Sequence, residues 1–289
     1  MRPERNAQGS RPGGWTCTKA GSYRARRTCT KAGSYRAWSE QSEVRIAMSE
    51  AVICPAGDSA LLVEFENEIS LEVNSRVRAL KYTLEQSPFD GMGELVPAYR
   101  SLLVCYDPLK IRMKAAQEEI RSRLGHMDRV SLPKAIVTEI PVCYDKEYAV
   151  DLEHIAQLEH KTEEEVIRIH SQSDYFVYML GFAPGHPYTA RFENPFSFKR
   201  MENPRLRIPG GSIVVQLALS DIIPFDQPCG WNIIGSTPVL ACDYRKENPF
   251  LLRAGQWIHH RPVSKEEYLD IKKQVEDGTY VCKTWEKED

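Results

Sequence analysis

The stretch from 181 to 240 constrains the fold most: it holds 8 of the 18 prolines and 6 of the 17 glycines in about a fifth of the chain. They fall in short clusters, Gly181-Phe182-Ala183-Pro184-Gly185-His186-Pro187-Tyr188, then Ile208-Pro209-Gly210-Gly211-Ser212, then Pro228-Cys229-Gly230-Trp231. Glycine admits positive φ and close backbone approach, and proline locks φ and removes a donor. Such clusters, separated by apolar runs such as Ser212-Ile213-Val214-Val215, predict shaped loops on a β scaffold. From Tyr175 to about Ile258 the many short strands between turn signals predict a closed or nearly closed barrel.

Ahead of the barrel the pattern is mixed. Residues 51–65 read as a strand or hairpin with Gly57-Asp58-Ser59 as its turn. Ser70 opens a helix whose apolar residues Val73, Val77, Leu80 and Leu84 share one face, ending near Ser87-Pro88. Residues 94–99 and 101–106 read as paired strands. Asp107-Pro108 reads as an N-cap and first helical position, opening a helix with Leu109, Met113, Ala116, Ile120 and Leu124 on one face. A strand over 135–140 completes a β-α-β-β-α-β order, which predicts a ferredoxin-like α+β domain. A short helix runs from Asp151 to Leu158. Thr162-Glu163-Glu164-Glu165 and Ser264-Lys265-Glu266-Glu267 are capping boxes, the second opening a closing helix. The expected organisation is an extension over 1–47, a ferredoxin-like domain over 48–132, a barrel over 133–276 and a frayed tail over 277–289.

The extension stands apart in composition. Thr16 to Ala25 recurs unchanged as Thr28 to Ala37, and residues 1–47 carry 10 Lys/Arg and 3 Asp/Glu, a net +7. The remainder carries 28 and 37, a net −9. A spurious or disordered extension, with Met48 as the functional start, is expected. An acidic body argues against nucleic acid as a partner. No run of 18 apolar residues exists, so no membrane span is expected. Eight cysteines without a C-x-x-C pair fit reduced thiols and a cytoplasmic location.

Several ordered motifs carry a resemblance. They are Gly57-Asp58-Ser59-Ala60-Leu61-Leu62-Val63-Glu64-Phe65, His170-Ser171 with Tyr175, Gly181-Phe182-x-Pro184-Gly185-x-x-Tyr188 and Pro204-Arg205-x-Arg207-x-Pro209-x-Gly211-Ser212. Pro224, Pro228-x-Gly230-Trp231-x-x-Ile234-Gly235-x-Thr237-Pro238 and Leu251-Leu252-Arg253-Ala254-Gly255-Gln256-Trp257 follow. Over roughly residues 50–270 the chain resembles the family of 5-oxoprolinase B subunits, also called KipI or allophanate hydrolase subunit 1. The resemblance implies a ferredoxin-like domain followed by a cyclophilin-like barrel. It also implies ATP-dependent opening of 5-oxo-L-proline to L-glutamate, with subunits A and C as partners and ATP as cosubstrate, bound here or on a partner. The alternatives it implies are a KipI-like inhibitor of a histidine kinase without catalysis and a urea or allophanate carboxyltransferase-type domain. The chain departs from the family pattern at His186, where a phenylalanine is usual. It departs also at Gln216-Leu217-Ala218-Leu219-Ser220-Asp221, where a glycine-rich segment is usual, and at Cys229.

Lactam opening needs a proton carrier, an anion grip and donors for charge developing on oxygen. His170 is the candidate proton carrier, against a role in capping or packing its helix end. Arg205 and Arg207 are candidates to grip a carboxylate or phosphate, against surface pairing with Glu202 or Glu193. Of the two, Arg205 is the choice to face the cleft. Ser212, after Gly211, is placed to bind an oxyanion. Tyr175, Phe182, Tyr188 and Trp231, with Pro184 and Gly185, are candidate pocket walls, against core packing for Phe182 and Trp231. No histidine pair has metal-site context, so no metal is assigned, and no phosphate loop or Gly-x-Gly-x-x-Gly motif is present.

Overall fold

The computed structural model describes residues 51–127, 130–190 and 195–287. The duplicated segment and the rest of the expected extension lie outside the described residues, as does Glu193. The described chain is mixed α+β.

The first half of the fold is a four-stranded antiparallel sheet carrying two helices. Its elements are β1 (Val52–Pro55), β2 (Ala60–Glu64), α1 (Leu71–Gln86), β3 (Met92–Pro97), β4 (Ser101–Tyr106) and α2 (Met113–Leu124), with strand order β1-β2-β4-β3. Alternation in β4 turns Leu102, Val104 and Tyr106 inward. They meet Val73, Val77, Leu80 and Leu84 of α1 and Ala116 and Ile120 of α2 in one core. Ser70 caps α1 by accepting from Val73 N at 3.2 Å.

Two expectations change here. Asp107 does not open a helix: its carboxylate accepts from Leu109 N, the chain turns, Leu109 is exposed, and α2 begins only at Met113. A single Asx turn has satisfied the cap residue before a helix can start. The strand expected to complete a ferredoxin-like sheet belongs instead to the larger sheet. The edge place beside β2 is taken by β1, which pairs antiparallel with it.

The larger sheet is built from β5 (Ile136–Cys143), β6 (Asp174–Leu180), β7 (Pro187–Ala190), β9 (Ser212–Gln216), β10 (Leu219–Ile222), β12 (Asn232–Ser236) and β13 (Trp257–Val263). The order is β10-β9-β12-β5-β13-β6-β7, and β14 (Thr284–Glu286) pairs with β5. A two-stranded ribbon, β8 (Arg205–Ile208) with β11 (Gln227–Cys229), forms a separate sheet packed on β9 and β12 through Ile208, Val214 and Ile233. The two ends of the sheet come together through Thr189. Its N–H donates to Asp221 Oδ1 at 2.9 Å and its hydroxyl to the Ser220 carbonyl, so the sheet is a nearly closed barrel. The barrel core includes Ile140, Val142, Tyr175, Val177, Ile213, Val215, Ile234 and Ile258. The helices are α3 (Leu152–Glu159), α4 (Glu163–Ser171) and α5 (Lys265–Glu276). Both halves of the Thr162–Glu165 capping box form. Ser264 accepts from Glu267 N at 3.2 Å to start α5. Within the tail expected to fray, Thr284, Trp285 and Glu286 register against Thr138, Val137 and Ile136, and Lys287 pairs with Asp174.

Candidate functional site

Two polar clusters lie on opposite faces of the barrel wall, and adjacent residues of β10 separate them. Ser220 points inward and Asp221 points away, as alternation along a strand requires.

The inner cluster contains His170. This histidine is wholly buried at the end of α4. Tyr144 Oη lies 2.7 Å from its Nδ1 and Ser220 Oγ 2.7 Å from its Nε2. Its ring stacks on His260 at 4.3 Å, and Tyr175 packs beside both. Both ring nitrogens are therefore committed to protein partners inside the core. His170 and Tyr175 thus lie within the barrel core, on the other face of the wall from the outer cluster.

The outer cluster sits where β7 meets β10. His186 and Asp221 are both buried, with His186 Nε2 3.5 Å from Asp221 Oδ2. Gln227 Nε2 donates to His186 Nδ1 at 3.2 Å, which puts the ring proton on Nε2, facing the carboxylate. The His186 ring stacks on half-buried Tyr188, with centroids 5.0 Å apart. Tyr99, from the β3–β4 turn, reaches over to Tyr188 and to Tyr178 at 6.3 and 5.0 Å. That reach is held by wholly buried Asn74 of α1, whose Nδ2 donates to the carbonyls of Ala98 and Tyr99. Burial pushes the Asp221 carboxyl above its ordinary range, against the pull of His186 and the Thr189 N–H. Burial, then the Asp221 charge, raises the Tyr188 and Tyr99 phenols, so both stay protonated and able to donate. Cys229 lies near the same carboxylate; burial raises its thiol, with Arg200 among the charges opposing the shift. The Arg200 guanidinium lies over Gly230, where an added Cβ would stand 2.9 Å from it.

The structure does not bring the remaining sequence candidates together. Arg205 is bound bidentately by Asp151, at 2.9 and 2.6 Å, and so ties β8 to the start of α3. Asp151 is also held by Ile233 N at 2.7 Å. Arg207 pairs with Asp226 in solvent, its side chain 79% exposed. Among the described residues neither arginine pairs with Glu202, and Glu193 lies outside them. Ser212 donates to the Pro209 carbonyl at 2.8 Å, closing its own turn rather than presenting a hydroxyl. Gly211 is needed by that turn: φ is +84° and an added Cβ would lie 2.5 Å from the Thr237 carbonyl. Gly185, with φ +76°, likewise rests on the Ala241 carbonyl. Trp231 packs with Ile208, Val214 and Ile233. Phe182 is exposed at φ +65° and touches His186 edge-on, while Pro184 beside it is exposed. Of the expected walls, Tyr188 and Phe182 thus reach the outer cluster.

Sequence reading missed Asp221, Tyr99, Tyr178, Gln227 and Arg200. Two signals were available: an aspartate inside the apolar strand Leu219-Ser220-Asp221-Ile222-Ile223, and an asparagine within the apolar stripe of α1. Among the described residues, no group of three or more His, Cys, Asp or Glu is arranged to hold a metal ion, and no helix is long and apolar enough to cross a membrane.

The sequence comparisons agree on a family. The family model of the carboxyltransferase domain, subdomain C and D, matches residues 51–252. The 5-oxoprolinase B subunit of Bacillus subtilis (strain 168) is 34% identical over 228 residues, covering 75% of this chain and 95% of that protein. The crystal structure of TTHA0988 superposes with a TM-score of 0.63 at 32% identity; it covers 71% of this chain, which spans only 40% of TTHA0988. Urea amidolyase of K. lactis shares the fold, with a TM-score of 0.69 over 82% of this chain at 19% identity and 16% of its own length. The chain belongs to the family of 5-oxoprolinase B subunits, built on subdomains C and D of the carboxyltransferase domain.

Proposed function

We propose that this chain is the B subunit of an ATP-dependent 5-oxoprolinase, a hydrolase that opens 5-oxo-L-proline to L-glutamate in the cytoplasm together with subunits A and C. The observation that carries the reading is the 34% identity extending over 95% of a protein named for that role. We read the four-stranded unit as a ferredoxin-like variant with a substituted edge strand, and the barrel as cyclophilin-like.

The outer cluster supplies fitting chemistry. Tyr188 is a half-buried, protonated phenol, suited to donate a hydrogen bond to a lactam carbonyl as charge grows on its oxygen. Asp221 and Gln227 hold the His186 ring that backs Tyr188. Arg200, at the rim, is the cation available for a substrate carboxylate. The cluster suits ATP poorly. The sequence carries no phosphate loop, and the Asp221 carboxylate of the cluster is buried rather than replaced by a cation that could hold phosphate. We therefore assign ATP to the partner subunits.

The test is reconstitution of the three subunits with 5-oxoproline and ATP. Release of glutamate and ADP is expected, with a roughly ten- to hundredfold loss of kcat in Tyr188→Phe, at or below the size seen for removal of one oxyanion donor. A well-folded complex that releases neither product would reject the function. An unaffected Tyr188→Phe complex would reject the site.

A further inference from the structure

A groove lies away from the outer cluster. It is half-open, with a volume of about 590 Å³ between α1, β3, residues 132–134 and the loop at 250–256, within the size range of small-molecule sites. Leu180, Val96 and Phe250 give it apolar walls, the last two 39% and 43% exposed.

Its charges are unequally matched. Lys81 is paired with Glu85, and Lys134 with Glu286. Arg78 has no carboxylate partner among the described residues. Its guanidinium lies over the Phe176 ring at 5.3 Å, and its Nε is inaccessible and without a hydrogen-bond partner among the described residues. Arg253, exposed at the opposite wall, has no ion pair among the described residues either, and Glu94 is the carboxylate on the lining that remains unpaired among them. The backbone makes room for Arg78. Gly255 has φ +91°, and a Cβ there would lie 2.8 Å from Arg78 Nη1. A desolvated guanidinium without a counter-ion is costly, and stacking on one ring recovers only part of that cost. Burial lowers its pKa, in keeping with a missing counter-charge.

We propose that this groove binds a small molecule bearing one oxyanion head, carboxylate or phosphate, on an apolar body. Arg78 receives the head through its planar fork, and the Val96 and Phe250 walls take the body. The fork matches both carboxylate and phosphate geometry. The proposal stands apart from the 5-oxoprolinase reading, because the chain is tested without partner subunits.

The experiment is calorimetric titration of the full chain with benzoate and with phenyl phosphate, using benzamide as the uncharged control. Amide resonances of Gly255 and Gln256 serve as an independent reporter in the unmodified protein. The expected result is binding of at least one anion, shifts at both amides and no binding of benzamide; which anion binds decides between the two head groups. Arg78→Met should weaken binding at least tenfold and Arg78→Lys by less. Lys272→Ala, at an exposed cation on α5 that does not line the groove, should leave it unchanged. If Arg78→Met does not fold, Arg253→Met should weaken binding severalfold. The proposal is overturned if neither anion binds at millimolar concentration, if benzamide binds equally, or if the groove variants bind like the unmodified chain.

Discussion

Removing the Asp151 carboxylate should cost more stability than removing the Arg205 guanidinium that it holds. Asp151 serves three donors: Arg205 Nη1 and Ile233 N on Oδ2, at 2.9 and 2.7 Å, and Arg205 Nη2 on Oδ1 at 2.6 Å. Its side chain is 10% exposed, whereas that of Arg205 is 32% exposed. Asp151→Ala orphans the buried Ile233 N–H, worth about 1–3 kcal/mol, and leaves a half-solvated guanidinium that water partly rescues, about 1 kcal/mol more. The sum is about 2–4 kcal/mol. Arg205→Ala leaves Asp151 bonded to Ile233 N and partly hydrated, a loss of about 1–2 kcal/mol. The double variant should cost less than the sum of the singles by about 0.5–2 kcal/mol, because the two side chains lose the same bonds. Urea unfolding of the four proteins, followed by tryptophan fluorescence, reads these numbers from midpoints at constant m. The reasoning fails if Arg205→Ala costs as much as Asp151→Ala, or if the two losses add within about 0.3 kcal/mol. Arg205→Ala that abolishes activity while leaving the midpoint in place would return Arg205 to the substrate.

Two further outcomes follow from the turns and the buried carboxylate. Gly211→Ala combines a positive φ with a Cβ 2.5 Å from a backbone carbonyl; it should cost about 3 kcal/mol in thermal unfolding, and a loss below about 1 kcal/mol would contradict the geometry. Burial raises the Asp221 pKa in the folded chain above its unfolded value of about 3.9. The folded state therefore holds the proton to higher pH, and the stability it confers is fully present below the unfolded pKa and lost as pH rises through the folded one. Asp221→Asn avoids that loss, so its Tm minus that of the unmodified chain should climb with pH across this window and then level off. A difference that falls with rising pH would reverse the sign of the argument.

Much of the fold was legible locally. The stripe Val73, Val77, Leu80 and Leu84 marked α1, because a 3.6-residue period needs no distant partner to be seen. The Thr162–Glu165 box marked the start of α4 for the same reason. The glycine clusters marked turns, and at Gly211 and Gly185 the backbone does require that residue. Asp107-Pro108 misled because a cap residue can satisfy itself in one turn. The strand at 284–286 was not legible because its partner, β5, lies far earlier in the chain, Trp285 registering against Val137.

The sequence alone determined which segments turn, which alternate and where helices are capped, since these follow from φ preferences and short-range periodicity. It also determined family membership, through ordered motifs. Only the tertiary structure decided which side chains meet. It buried His170 between Tyr144 and Ser220, tied Arg205 to Asp151, and set His186 against Asp221 across a barrel seam. Such pairings depend on strand order and closure, which no local pattern encodes. One residue of phase on β10 then separates the sealed core around His170 from the cluster around His186.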